Sequence, residues 1–390
     1  MVIERGDAVA LARELVRIDS RNPSLVPGAP GESEVARALA EILSAWGFDV
    51  AVHEAAPGRP NVIARVGRAG GASLMLNGHL DVVGTEGMTH APFDALVRGT
   101  RLYGRGSADM KAGVAAMCAA AARAASAGLA GEVIVAAVAD EETESAGTRA
   151  LLDHGVRADA AIVTEPTRLA INPAHRGFAW ITVVVHGRAA HGSRYDIGVD
   201  AILHAGLLLA ELDALQEQVL MHRTHPLLGH ASLHASTMEG GTGMSTYPDR
   251  CTLRLERRTL PGEHVDDVLA EVHSACERVR ARRSAFHADV TLDLARPPSD
   301  VAMEAPIVRA LESAIRACGE YVRVEGMSAW TDAALLNDAG IPAICFGPGD
   351  IALAHAAEEW VDTMEIERAA VVLTRLAQQW CNSGGDRWLS

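Results

Sequence analysis

Four apolar segments of this chain share one layout: a run that reads as a buried β-strand stops at residues able to bind a metal ion. Leu74-Met75-Leu76-Asn77-Gly78 leads into His79-Leu80-Asp81, and residues 133–139 lead into Asp140-Glu141-Glu142. Ala161-Ile162-Val163-Thr164 leads into Glu165-Pro166, and Ile344-Cys345-Phe346 leads through Gly347-Pro348-Gly349 to His355. A fifth segment, Gly104-Arg105-Gly106-Ser107-Ala108-Asp109, reads as a glycine-rich turn that places Asp109 at the start of a helix. Sites in open α/β sheets form where the carboxyl ends of strands gather. Singly, each residue has an ordinary explanation, Asp109 as a helix N-cap and Asp140–Glu142 as a solvated acidic turn. Five such elements at strand ends are not explained by solvation alone.

The rest of the chain supports a sheet of that kind. Helical spacing of apolar residues covers 6–18 and 33–46, the second ended by Gly47, and short strands follow at 48–52, 62–66 and 74–77. A helix at 110–125, a strand at 132–139, a helix at 145–154 and a strand at 160–164 continue the alternation expected of an α/β layer. The pattern then changes to strand 178–186, helix 199–215, strands 231–238 and 251–257, helix 265–282 and strand 288–294. That β-α-β-β-α-β order is a split βαβ unit of two layers, α+β in class. Alternation resumes after Arg296-Pro297-Pro298, with a strand at 341–346 and a helix at 365–380. The expected architecture is a large mixed-sheet α/β domain interrupted by a smaller inserted one.

Two histidines and three carboxylates can give each of two metal ions one imidazole and carboxylate oxygens, provided one carboxylate bridges. Such mixed N/O sites suit Zn2+ and leave a coordination position for water. Asp81 follows His79 by two residues, so in extended chain the two side chains face the same way and the Asp81 carboxylate can accept the second ring N–H. Glu141 and Glu142 are adjacent, and extended backbone points them to opposite sides, one to bind metal and one to act as a base. Two metals around a bridging water lower its pKa and stabilise a tetrahedral intermediate.

At these residues the sequence resembles the zinc-dependent amidohydrolases and exopeptidases related to acetylornithine deacetylase, a family that includes succinyl-diaminopimelate desuccinylase, aminoacylase and glutamate carboxypeptidase. The stretches that carry the resemblance run from Gly78–Val83 through Gly104–Gly113, Asp140–Glu142 and Thr164–Thr167 to Ala354–Glu359. The resemblance implies that Asp109 bridges two Zn2+ (Co2+ or Mn2+ as substitutes), with His79 and Glu165 completing one site and Glu142 and His355 the other. It implies Glu141 as general base and Asp81 as the residue that orients His79. It further implies a catalytic domain at 1–175 and 297–390, and a lid and dimerisation domain at 176–296. There His191, in Gly187-Arg188-Ala189-Ala190-His191-Gly192-Ser193, reaches the partner's active site in a homodimer and helps hold the oxyanion. Arg258 matches the position that binds a substrate carboxylate. Ser245 stands where many relatives carry a substrate-contacting asparagine. Trp330, bulky beside Thr331-Asp332-Ala333, reads as packing or a pocket wall, with packing favoured, and Lys111 as a structural residue on the first turn of the Asp109 helix.

The activity expected from this set is hydrolysis of the amide bond of an N-acyl amino acid. Small-peptide hydrolysis, as a dipeptidase or carboxypeptidase, is the alternative within the same chemistry, and a non-enzymatic binding relative of the same fold is the alternative outside it. Composition narrows the partners. With 35 Lys+Arg against 50 Asp+Glu the net charge is −15, which argues against nucleic acid and against an anionic membrane surface. The beginning of the chain shows no basic-then-apolar leader, and no apolar run approaches the ~20 residues of a spanning helix. Six scattered cysteines without a Cys-x-x-Cys pair point to a reducing compartment, the cytoplasm.

Overall fold

The strand Ser73–His79 is apolar on both faces because both faces are covered, and its residues from Leu74 to His79 are buried. In the computed structural model, which describes residues 3–382, it pairs in parallel with Glu132–Val138 on one side and Ala160–Val163 on the other. Ala160–Val163 in turn pairs in parallel with Ala343–Cys345. These are the four strands that run into ligand-type residues, and their shared direction brings the four carboxyl ends to one edge. Arg59–Gly67 runs antiparallel to Glu132–Val138, Asp49–Ala56 closes that side as a hairpin, and Asn172 of Ile171–His175 pairs antiparallel with Cys345. The sheet is therefore mixed, and the fold is α/β. Met1 and Val2, part of the segment read for a leader, and residues 383–390, the end of the range 297–390, lie outside the described residues.

Helices Ala112–Ser126 and Thr363–Asn382 pack on each other and against the central strands. They bury Leu74, Leu76, Val133, Val135 and Ala137 in one apolar core. On the opposite face Asn77 reaches Thr148 in helix Ala146–Asp153. Ala112–Ser126 is almost entirely small residues, which lets its backbone come close to the sheet. At Gly113 a Cβ would stand 2.0 Å from the Thr164 carbonyl oxygen, immediately before Glu165. Gly113→Ala is therefore expected to destabilise the fold by about 1–3 kcal/mol, the usual cost of overpacking. Denaturant unfolding measures it, and an unchanged midpoint would show that the helix can move away without cost. Among the elements that escaped the sequence pattern are helices Pro306–Ala317 and Ala333–Asp338, the strand Ile171–His175, and a small sheet of Leu96–Arg98, Arg101–Tyr103 and Trp360–Asp362.

The chain divides into two compact units, one of Met1–Pro173, Val301–Glu325 and Thr331–Ser390, the other of Ala174–Asp300 and Gly326–Trp330. The second unit has the β-α-β-β-α-β order. Its antiparallel sheet runs Ser232–Gly240, Arg250–Thr259, Gly177–His186, His287–Arg296. Ala179, Ile181, Val183 and Val185 alternate into a core with helices Ala201–Gln218 and Val265–Arg282, as a half-covered sheet requires. Arg257 is fully buried, with Glu263 and Glu271 as ion-pair partners and the Arg258 carbonyl as a further acceptor. All six cysteines are free. No helix among the described residues is long and apolar enough to cross a membrane.

Candidate metal centre

His79 is the last residue of its strand. Its Nδ1 lies 2.9 Å from the backbone carbonyl of Asp81, and its Nε2 lies 3.1 Å from Asp109 Oδ1. The carboxylate of Asp81 is farther, 3.6 Å from Nδ1. This corrects the sequence expectation: the ring is oriented by the Asp81 carbonyl, because the chain beyond the strand turns that group toward it. The Asp81 carboxylate instead accepts from Asn22 Nδ2 at 2.8 Å and from the backbone N–H groups of Glu141 and Glu142, each at 3.1 Å. It fixes the turn that carries the two glutamates.

That turn also differs from expectation. Glu141 and Glu142 are not on extended backbone; they begin a tight turn after Asp140, which sits in the left-handed region at φ 68°. A non-glycine residue holds such a conformation only when its surroundings impose it. Here Asp140 is held by Arg59 at 3.0 Å and Asn22 at 3.1 Å, and its own N–H donates to Glu32 at 3.1 Å. His355 is likewise left-handed, at φ 59°.

Asp109 is not at the start of a helix. Ser107–Lys111 is an irregular turn in which Asp109 (φ −122°, ψ 96°) and Met110 (φ −134°, ψ 36°) leave helical conformation, and the helix begins at Ala112. Glu359 holds this turn. Its carboxylate accepts from Arg105 at 2.6 Å and from the N–H groups of Gly106, Ala108 and Asp109 at 3.1, 2.9 and 3.2 Å. Lys111 precedes the first helical turn instead of lying on it. It is completely buried, its Nζ donates to the Ile18 carbonyl at 2.7 Å, and burial pushes its pKa down to about 7 against the charges of Asp19, Glu359 and Asp81.

The result is two ligand groups that share one residue. One oxygen or nitrogen each from His79, Asp109 and Glu165 lie within 4.8 Å of one another, and so do those of Asp109, Glu142 and His355. Within the second group His355 Nε2 is 3.3 Å from Asp109 Oδ2 and 3.1 Å from Glu142. Glu141 belongs to neither group.

Electrostatics mark the same residues. Burial pushes the Glu141 carboxyl well above the usual range, and Glu165, Asp332 and Glu142 add repulsion that His79 only partly offsets. Burial and the charge of Asp109 raise Glu165 in the same way. Burial also raises Asp109, but the contacts with His355 and His79 outweigh it and hold that carboxyl below the usual range. Those to Asp109 and Glu142 raise His355 to about 10 despite its burial. Burial raises Asp332 to about 6, against the hydrogen bond from Thr148 at 2.6 Å. Six carboxyl groups (Asp81, Asp109, Glu141, Glu142, Glu165, Asp332) thus meet two imidazoles. An N/O donor set this short of positive charge fits divalent cations.

The first unit therefore brings together His79, Asp81, Asp109, Glu141, Glu142, Glu165 and His355. His191, Ser245 and Arg258 belong to the second unit. There Gly192 N–H donates to the Ser245 carbonyl at 2.7 Å, which joins the His191 and Ser245 segments, and His191 Nδ1 is 2.8 Å from Ser193 Oγ. Arg258 is paired with Glu256 and lies over the Phe178 ring at 5.3 Å. Trp330 packs, donating to the Pro297 carbonyl at 3.0 Å and meeting His175 edge-on. Sequence reasoning assigned no role to Asn22, Arg59, Asp332 or Glu359. Glu359 does lie inside one of the stretches that carry the family resemblance, Ala354–Glu359.

A family model described as peptidase family M20/M25/M40 matches residues 75–379. The chain belongs to this family. Acetylornithine deacetylase of Myxococcus xanthus is 30% identical over 326 residues, 82% of this chain and 84% of that protein. N-formyl-4-amino-5-aminomethyl-2-methylpyrimidine deformylase of Bacillus subtilis is 27% identical over 416 residues, 97% of this chain and 95% of that protein. A dinuclear metal-binding M20 peptidase of Bacillus subtilis has the same fold, with a TM-score of 0.73, 18% identity and coverage of 96% of this chain and 97% of that one. As an M20 family member the chain is a metal-dependent amidohydrolase or exopeptidase, an enzyme and not a binding relative.

Proposed function

We propose that this M20 enzyme is a dinuclear zinc deacylase that hydrolyses the amide bond of N-acyl amino acids. The observation that carries the reading is the sharing of Asp109 between two ligand groups, with a half-buried glutamate, Glu141, beside them and outside both. His79, Asp109 and Glu165 would hold one ion, and Asp109, Glu142 and His355 the other. Bound Zn2+ lowers the pKa of water and polarises a carbonyl. The remaining chemistry belongs to the chain. Glu141 takes the proton of the attacking water and passes it to the leaving amine. Asp81 keeps Glu141 in place through its N–H, and Glu359 keeps Asp109 in place through the Gly106–Asp109 turn. Similarity to the acetylornithine deacetylase of Myxococcus xanthus supports acyl over aminoacyl substrates for this chain.

Hydrolysis of N-acetyl amino acids is expected to exceed that of dipeptides, to disappear on chelation and to return with Zn2+ or Co2+. Preference for dipeptides would replace the deacylase reading by a peptidase one, and hydrolysis that survives chelation would remove the metals.

The second unit we read as a lid and dimerisation unit, in which His191 serves the partner's site and stabilises the oxyanion. Arg258 anchors the free carboxylate, for which Glu256 leaves its guanidinium partly exposed, and Ser245 contacts the substrate. Glu141→Gln and His191→Ala chains, each inactive, should regain about a quarter of wild-type activity when mixed, since half of a symmetric dimer population becomes mixed with one complete site. No recovery despite subunit exchange would place His191 in its own chain's site or remove it from catalysis.

A further inference from the structure

The outward face of the second unit's sheet carries a side-chain group that the metal centre does not use. His186 ends the strand Gly177–His186, and His287 begins the edge strand His287–Arg296; the register sets the two directly opposite each other. Opposed residues of an antiparallel pair lie on one face, and here the two rings stack with centroids 5.1 Å apart and planes at 26°. Asp289, two residues along the same strand, returns to that face. Its Oδ2 is 2.8 Å from His186 Nε2 and its Oδ1 is 3.9 Å from His287 Nε2. One ligand atom from each of the three lies within 4.8 Å of the others.

An ion pair between Asp289 and one histidine needs no second imidazole, and two protonated rings in a stack repel. A cation shared by all three accounts for the whole group. Zn–N and Zn–O bonds of about 2.1 Å in tetrahedral geometry put ligand atoms about 3.4 Å apart, a spacing that falls between the observed 2.8 and 3.9 Å. Small side-chain rotations therefore close the site. Two imidazoles and a carboxylate select late first-row divalent ions over Mg2+ or Ca2+. Arg250, opposite His186 on the neighbouring strand, weakens the site by its charge.

We propose that His186, His287 and Asp289 form a second-unit binding site for a divalent ion of the Zn2+, Ni2+ or Cu2+ class, with a fourth position open to water or another ligand. The bound ion ties the edge strand His287–Arg296 to Gly177–His186.

Zn2+ titration of the full chain tests this in three forms. A His79→Ala/His355→Ala chain isolates the sheet site and is expected to bind one equivalent. Adding His186→Gln or His287→Gln to it should weaken that binding at least tenfold, and Asp289→Asn should weaken it by less. The wild-type catalytic background with His186→Gln/His287→Gln should keep its hydrolytic activity. Binding of one equivalent that is indifferent to all three substitutions, or no binding to the isolating chain, overturns the proposal. Should the isolating chain fail to fold, ring-proton NMR of wild type during Zn2+ addition decides. Perturbation of the His186 and His287 resonances supports the site, and their silence overturns it. Failure of the dinuclear reading alone is distinguishable, since the His186→Gln/His287→Gln chain would then bind fewer than two equivalents of Zn2+.

Discussion

Glu141→Gln is expected to reduce turnover by about 10²–10⁴-fold, the usual contribution of a positioned general base, while the chain retains its metal. The amide keeps the size of the carboxylate but cannot accept the proton. Because Glu141 stands outside both ligand groups, the substitution removes no donor from them. It also removes one carboxylate from a cluster of like charges, so stability should hold or rise. Turnover under substrate saturation, together with metal analysis of the purified variant, checks both halves. Near-normal turnover would remove Glu141 from the proton-transfer role. Lost metal would make it a ligand.

Asp109→Ala is expected to have the other large effect, and of a different kind. Asp109 is the only residue common to both groups, with Oδ1 toward His79 and Oδ2 toward His355. On the proposed dinuclear reading, its loss takes a donor from each ion and leaves the neighbouring glutamates with one ligand fewer in each group. Both equivalents of metal should bind far more weakly, and hydrolysis should fall to background. Glu165→Ala and Glu142→Ala should each weaken one equivalent and spare the other. Metal titration separates these outcomes; loss of a single equivalent in Asp109→Ala would show that the carboxylate does not bridge. The turn itself should survive, since Glu359 holds it through backbone N–H groups that the substitution leaves in place.

The positions of the ligand-type residues were legible because strand ends are local features. An apolar run of five to seven residues can be read from composition and β-branching, and the residue that follows it is then at an edge. His79, Glu165 and the Asp140–Glu142 turn are placed in this way by their own strands. The direction of the four strands was not legible locally, yet an α/β alternation makes parallel neighbours the expected arrangement. The turn at Asp109 reads as a helix start in the sequence because glycines followed by an apolar helix look alike in both cases, whereas the helix begins at Ala112. The same limit applies to Lys111, one residue away.

The supporting contacts lay beyond the sequence for a physical reason. Asn22 reaches Asp81 across 59 residues of chain, and Glu359 reaches the Asp109 turn across 250. A lone asparagine or glutamate carries no period, and its partner is chosen only when distant segments pack. The sequence by itself determined the donor types, their order and the sheet that would collect them. Only the tertiary structure decided that the Asp81 carboxylate serves the glutamate turn while its carbonyl serves His79, and that Asp109 faces both histidines. Those choices depend on where buried polar groups find partners once the chain has closed, and each buried group left without one costs about 1–3 kcal/mol.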